Sequence, residues 1–188
     1  LATGRDDVMP MVREFAHASL LKEGERLSIE KHVSMMCWWW SYKTVFLTEY
    51  YLRTGDKVVL PTIEEYATKI AMGSSGVGTW GHGLACPSLN GGKLHGPTGG
   101  YGAMNQISLT LTMSLVLAQK CGVRNEEIDQ AVKKSSDFFR WFCDKGAIPY
   151  GDHNPWIRTH DNNGVCSQAA VMFDLLGDKT MTNYYTRM

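Results

Sequence analysis

Residue types that can transfer protons or bind sugars are concentrated in two glycine-rich segments, residues 73–102 and 145–164. Four of the six histidines lie in them, with aromatic, acidic and amide side chains in or beside the same segments. Histidine acts as a general acid or base near neutral pH, and aromatic rings pack against the faces of sugars. The candidate catalytic residues are His82, Tyr101, His153, His160 and Asp161. The candidate substrate-binding residues are Trp80, His95, Asn105, Asp152, Trp156, Arg158 and Asn162.

The first segment has two interpretations at each of its aromatic positions. Trp80 and His82 either fix the loop by packing and backbone hydrogen bonds, or provide a ring for substrate and a general acid/base. Tyr101 is either a residue that fills the loop or the base or acid of a lyase-type elimination. In the second case Asn105 or Arg158 would neutralise the carboxylate of a uronic acid.

The second segment holds two adjacent pairs, Asp152-His153 and His160-Asp161. One interpretation is proton transfer by His153 or His160, with Asp161 orienting the imidazole. The other is a zinc site formed with His82. No H-x-x-x-H or H-E-x-x-H spacing is present, so the sequence predicts no cofactor and leaves zinc as the weaker alternative.

The composition indicates one globular domain without a nucleic-acid partner. Of 188 residues, 44% are apolar, and 19 basic residues balance 19 acidic ones. The chain therefore has no overall excess of positive charge that would favour the binding of nucleic acid. The five cysteines form no C-x-x-C pair, and reduced thiols are expected. The uncharged helical segment 103–119 is short and carries polar side chains, which predicts a soluble protein without a membrane partner and leaves the compartment open.

The hydrophobic pattern predicts helices that alternate between two types. Amphipathic helices cover residues 6–22, the segment after Pro61 and the segment after the N-cap Asn125. Helices that are apolar on nearly every face cover residues 34–53, 103–120 and 164–176, and a short amphipathic stripe ends the chain. Glycines expected to adopt left-handed conformations follow the apolar helices. These glycines are Gly55, Gly122 and Gly177.

This alternation is a helical repeat, and no sustained period of two supports a strand. An apolar helix needs neighbours on both sides, whereas an amphipathic helix needs only one. We therefore expect an all-α domain with inner apolar helices inside outer amphipathic ones. An open α-solenoid is the alternative. In the two-layer arrangement both glycine-rich segments lie at the N-terminal ends of inner helices, where unpaired N–H groups favour anionic ligands. Trp38, Trp39 and Trp40 are expected in the core.

Two motifs resemble the α/α-toroid superfamily, which includes terpene cyclases, protein prenyltransferase β-subunits, polysaccharide lyases and glycosidases. They are Tyr50-Tyr-Leu-Arg-Thr-Gly-Asp56 and Gly78-Thr-Trp-Gly-His82. The sequence is most similar to an uncharacterised bacterial family of toroid domains. That similarity rests on Gly78-Thr-Trp-Gly-His-Gly83, Gly99-Gly-Tyr-Gly102 and Val171-Met-Phe-Asp-Leu-Leu-Gly-Asp178, and it covers residues 34–188.

The resemblance implies an incomplete toroid, since about seven predicted helices are fewer than a closed barrel of this superfamily uses. Residues 1–188 are therefore expected to be one domain of a larger protein. The rest of that chain, or a homo-oligomer, would complete the barrel. The D-x-D-D motif of squalene-type cyclases is absent. The expected function is a carbohydrate-active enzyme, a polysaccharide lyase or glycoside hydrolase. A non-catalytic binding or scaffold domain is the alternative, and its expected sign is a cavity filled by Trp and Met side chains.

Overall fold

The computed structural model describes residues 1, 3–29, 35–86, 103–151 and 165–188, and this part of the chain is all-α. Apart from an isolated bridge between Met104 and Gly151, it contains no β-structure. The predicted fold class is therefore confirmed at the level of secondary structure. The helices are α1 (Met9–Ala18), α2 (Met36–Thr54), α3 (Leu60–Met72), α4 (Asn105–Lys120), α5 (Glu126–Arg140), α6 (Val165–Leu175) and α7 (Lys179–Thr186). Short 3-10 turns at Asp6–Val8 and Lys57–Val59 precede α1 and α3.

The helices with apolar sequences pack side by side, and the amphipathic ones cover them. Helix α4 packs most extensively against α2 and α6. Helices α3 and α5 pack against each other and against α4, while α7 packs on α6 and α1 on α2. The predicted central position of residues 103–120 is confirmed, because most side chains of α4 are buried.

Helix α4 is buried although it carries several hydroxyl side chains, because these hydroxyls have hydrogen-bond partners. Thr112 Oγ1 lies 2.7 Å from the carbonyl oxygen of Ser108 and 2.6 Å from the hydroxyl of Ser135 on α5. Ser114 Oγ donates to the carbonyl oxygen of Leu111 at 2.7 Å. Such pairing removes most of the cost of burying a polar group.

The predicted glycine turns are confirmed. Gly55, Gly122 and Gly177 have φ of +69°, +90° and +79°, a region that glycine adopts without steric cost. The Gly55 N–H closes α2 by donating to the carbonyl oxygen of Tyr51 at 2.7 Å. The next helix then starts on a side-chain cap. The capping residues are Asp56, Asn125 and Asp178.

The outer helices α3 and α5 bury the apolar stripes that the sequence predicts. Ile63 and Ile70 of α3 are fully buried, and so are Ile128 and Phe139 of α5. Because these stripes lie against α4 and α2, the charged faces of both helices are left in solvent.

Two expectations for the first helices hold only in part. Val12 of the predicted α1 stripe is partly buried against the core, whereas Met11 and Phe15 are 65% and 61% exposed. Helix α2 is not buried on every face, because Trp39 is 78% and Tyr42 is 55% exposed. Only Trp40 of the three consecutive tryptophans is buried. The reason is that α1, which packs on α2 and on the two 3-10 turns, covers only part of the outer face of α2.

All five cysteines lie in the described residues as free thiols, as expected. Burial raises the pKa of Cys86 and of Cys121 to about 11, which keeps both thiols protonated at neutral pH. Among the helices that the structure describes, none combines the length and the apolar character required to cross a bilayer.

Candidate functional site

Three of the predicted site residues lie in the described part of the chain, namely Trp80, His82 and Asn105. Tyr101 and the candidates of the second segment lie outside it, so their roles stay predictions. The residues outside are His95, Tyr101, Asp152, His153, Trp156, Arg158, His160, Asp161 and Asn162.

The described ends of the two glycine-rich segments meet at the N-terminus of α4. The backbone N–H of Met104 donates to the carbonyl oxygen of Trp80 at 2.8 Å. The backbone N–H of Asn105 donates to the carbonyl oxygen of Tyr150 at 2.8 Å, next to the bridge between Met104 and Gly151. The first N–H groups of a helix have no partner within it, and here carbonyls from both segments supply partners for two backbone N–H groups at the start of α4. This contact between the two segments is called the loop junction below.

Trp80 fixes the first segment to α3 and α4. Its side chain is fully buried, and its indole Nε1–H donates to the carbonyl oxygen of Ile70 at 2.9 Å. The hydroxyl of Ser108 accepts from the Trp80 N–H at 2.9 Å and donates to the Trp80 carbonyl oxygen at 3.0 Å. In this geometry Trp80 positions the loop junction, and its ring has no exposed face for a substrate.

Gly78 lets the same segment approach α5 closely. Its φ is +84°, and a Cβ built on it would lie 2.5 Å from the backbone nitrogen of Ser135 and 2.6 Å from the carbonyl carbon of Lys134. Real Cβ atoms do not reach such distances to backbone, so only glycine fits here. The Gly-x-Trp motif is thus explained by packing: Gly78 touches α5 and Trp80 touches α4.

His82 is anchored to the start of α2. The indole Nε1 of Trp38 lies 3.0 Å from His82 Nδ1, and the two rings stack with centroids 6.2 Å apart. The backbone N–H of Cys37 donates to the His82 carbonyl oxygen at 3.1 Å. Because an indole N–H can only donate, Nδ1 is the acceptor and the neutral imidazole carries its proton on Nε2. In that tautomer Nε2 is the donor nitrogen of the ring.

Asn105 is buried at the loop junction and uses its amide donors within the protein. Its Nδ2 donates to the carbonyl oxygens of Pro149 at 2.9 Å and Gly151 at 3.3 Å. Its Oδ1 is buried and has no hydrogen-bond partner among the described residues. With both N–H groups occupied, Asn105 is placed to accept a hydrogen bond from a ligand rather than to neutralise a carboxylate.

A second buried amide oxygen lies on the neighbouring inner helix. Gln168 Oε1 of α6 also has no hydrogen-bond partner within the described residues. A buried acceptor without a partner costs free energy, which a donor from a ligand or from water would recover. The N-terminal halves of α4 and α6 therefore each carry an available acceptor.

The described part of the chain gives no positive sign of a metal centre. Within residues 3–29, 35–86, 103–151 and 165–188 no group of three His, Cys, Asp or Glu side chains is arranged to hold a metal ion. Of the four residues in the zinc alternative only His82 is described, so that alternative stays untested.

Two residues of the loop junction were not among the candidates from sequence. Ser108 carries two hydrogen bonds to Trp80, and Trp38 determines the tautomer of His82. Ser108 is one of several hydroxyl residues in α4, so the sequence did not distinguish it from Thr110, Thr112 and Ser114. Trp38 gave no signal either, because it lies within three consecutive tryptophans that all satisfy an apolar pattern.

Comparison with known proteins gives one match. The model of a family described as a domain of unknown function (DUF6288) matches residues 1–188. No curated protein and no solved structure matches the chain significantly.

Proposed function

We propose that this chain, which belongs to the DUF6288 family, is a carbohydrate-active domain of polysaccharide lyase or glycoside hydrolase type. Its site lies at the loop junction, at the N-terminal ends of the inner helices α2, α4 and α6. The observation that carries the proposal is the contact of both glycine-rich segments around Asn105, whose buried Oδ1 has no partner in the described residues. A sugar hydroxyl is a donor of the kind that such an oxygen accepts.

The proposed fold is an incomplete α/α toroid. The row of α2, α4 and α6, covered by α3, α5 and α7, supports it, because a toroid repeats this inner and outer pairing. An open α-solenoid uses the same pairs and is the alternative. In the toroid, the rest of a larger chain or a second copy would supply the helices that close the ring.

His82 is the proposed proton donor. To release a proton to a glycosidic oxygen, His82 must start as the imidazolium, in which both ring nitrogens are protonated and the bond from Trp38 to Nδ1 is released. The neutral ring that remains, with Nδ1 again accepting from Trp38, would then take a proton from water. Tyr101, His153, His160 and Asp161 are the further candidates for the second proton-transfer step. The sugar would contact His95, Asn105, Asp152, Trp156, Arg158 and Asn162, with Trp80 holding the loop. No cofactor is part of this proposal.

A non-catalytic carbohydrate-binding or scaffold domain is the second candidate. The observation that favours it is the packing of the loop junction, where Trp80 and Met104 are fully buried. Side chains of this size fill space that an enzyme would leave open to substrate.

A polysaccharide panel separates the two candidates. Neutral and uronic polysaccharides would be incubated with the protein, with reducing ends measured for hydrolysis and unsaturated uronate absorbance measured for elimination. The proposal expects one of these signals, a loss of at least about 100-fold in His82→Ala, and no loss in Lys133→Ala on the far side of α5. Binding without turnover would support the non-catalytic domain. The absence of both binding and turnover across the panel would contradict the enzyme and the carbohydrate-binding domain, and it would favour the scaffold domain.

A further inference from the structure

An aromatic groove runs between α1 and the first half of α2, on the face that the sequence predicted to be buried. Its volume is about 740 Å³, within the range of small-molecule sites. Phe15 of α1 packs edge-on against Phe46 of α2 at 5.1 Å, and Trp39 and Tyr42 stand exposed beside them. This much exposed aromatic surface in one concave place is characteristic of a binding site.

Among the described residues that line the groove, Lys43 is the one charged side chain. Its Nζ lies 3.3 Å from the hydroxyl of Tyr66 and 5.3 Å from the centre of that ring. Within the described residues Lys43 forms no ion pair with a carboxylate. The hydroxyl and the ring face hold the ammonium in place and do not neutralise it.

We propose that this groove binds a small amphipathic carboxylate with an aromatic body. The body packs against Phe15, Trp39 and Phe46, and the carboxylate pairs with Lys43 Nζ. Burial of the aromatic body provides most of the affinity, and the ion pair orients the ligand. The charge of the groove is complementary to an anion, because the described residues of its lining include a cation and no acid.

The chemistry of its lining distinguishes this groove from the proposed sugar site. The Trp38 indole N–H is already committed to His82 and the Ser19 hydroxyl donates to the carbonyl oxygen of Phe15, which leaves Lys43, Tyr42 and the exposed indole of Trp39 among the donors of a mostly aromatic lining. A sugar needs several polar partners for its hydroxyls, whereas an apolar body with one charged group matches this lining. The proposal does not depend on carbohydrate activity.

The test uses a matched pair of probes, 2-naphthoate and its neutral analogue 2-naphthamide, titrated into the protein by calorimetry. Wild type should bind naphthoate more tightly than naphthamide, with one site per chain. Lys43→Met keeps most of the apolar stem and removes the charge, so it should weaken the binding of naphthoate about tenfold. The affinity of Lys43→Met for naphthamide should differ from that of wild type by no more than about twofold, which also verifies that the groove is intact.

Two further variants complete the test. Trp39→Ser alters an exposed side chain and should weaken both probes by a similar factor, with the melting temperature retained. Lys133 lies on α5 and is not among the residues that line the groove, so Lys133→Met should leave the affinity for both probes unchanged. Equal affinity for the two probes, undiminished naphthoate binding by Lys43→Met, or the absence of saturable binding would each overturn the proposal.

Discussion

The indole Nε1–H of Trp38 donates to Nδ1 of His82 across 3.0 Å, joining two residues that are 44 positions apart. The bond links the first turn of α2 to the first glycine-rich segment. Since the acceptor nitrogen cannot carry a proton while Trp38 donates to it, Trp38 determines which nitrogen of the neutral His82 ring carries the proton.

His82 should therefore be found as the Nε2–H tautomer when neutral. The ¹⁵N chemical shifts of the imidazole report this directly, and Trp38→Phe should shift His82 toward a mixture of tautomers because the donor is lost. Tyr42→Phe, which alters the adjacent turn of α2 without touching His82, is the control. Finding the Nδ1–H tautomer in wild type would contradict the hydrogen bond.

Gly78→Ala should destabilise the protein well beyond the cost of its positive φ. The added Cβ meets the backbone of Lys134 and Ser135, which cannot move without shifting α5. Gly55→Ala is the matched control, because its φ is +69° and nothing lies within 4 Å of its Cβ. Urea unfolding should show that the control loses about 1 kcal/mol of unfolding free energy relative to wild type. Gly78→Ala should lose about 1–3 kcal/mol more than the control. Equal losses would show that the close approach to α5 is absent.

Ser108→Ala should weaken the attachment of the first segment to α4. The substitution leaves the buried N–H of Trp80 without its acceptor, which costs about 1–3 kcal/mol. Ser114→Ala on the same helix removes a bond to the helix's own backbone only, and it should be close to neutral. The measurement is the free energy of unfolding in urea. A neutral Ser108→Ala would mean that Trp80 is not held by this hydroxyl.

Asp56 should make stability depend on pH in the acid range. The hydrogen bond from His17, followed by the one from Tyr50, lowers the pKa of Asp56 to about 2. A carboxyl whose folded pKa lies below its unfolded value of about 3.9 stabilises the fold above that value. The contribution is lost as the pH falls toward 2.

Melting temperatures of wild type and Asp56→Asn from pH 6 to pH 2 measure this effect. Wild type should melt higher at pH 6, and the two curves should converge toward pH 2. Asp6→Asn is the control, because the Asp6 carboxylate is 87% exposed and forms its ion pair with Arg53 on the surface. Its melting temperature should follow that of wild type across the whole pH range. Curves that stay parallel for Asp56→Asn would contradict the role of this carboxyl.

Much of the local structure was predictable because it depends on neighbouring residues. Gly55, Gly122 and Gly177 end inner helices with positive φ, and Asn125 caps α5. A left-handed terminus needs glycine and an N-cap needs a short polar side chain, whatever surrounds them. The central position of α4 was likewise predictable, since a helix that is apolar on every face requires neighbours around it.

The aromatic groove was not predictable, because periodicity identifies an apolar face and does not tell what covers it. Phe15 and Trp39 fit a buried pattern, yet both are exposed because α1 covers only part of the outer face of α2. The pairing of Trp38 with His82 was hidden for a related reason. Contacts between residues far apart in sequence depend on how the helices pack, and a single sequence does not record that packing.

The central claim is that a sugar binds where both glycine-rich segments meet at the start of α4. The most direct test is a crystal structure of the protein with an oligosaccharide that it binds. The account predicts density for the sugar within hydrogen-bond distance of Asn105 Oδ1 and His82 Nε2. A sugar bound away from both atoms, with the loop junction packed closed by Trp80 and Met104, would contradict it.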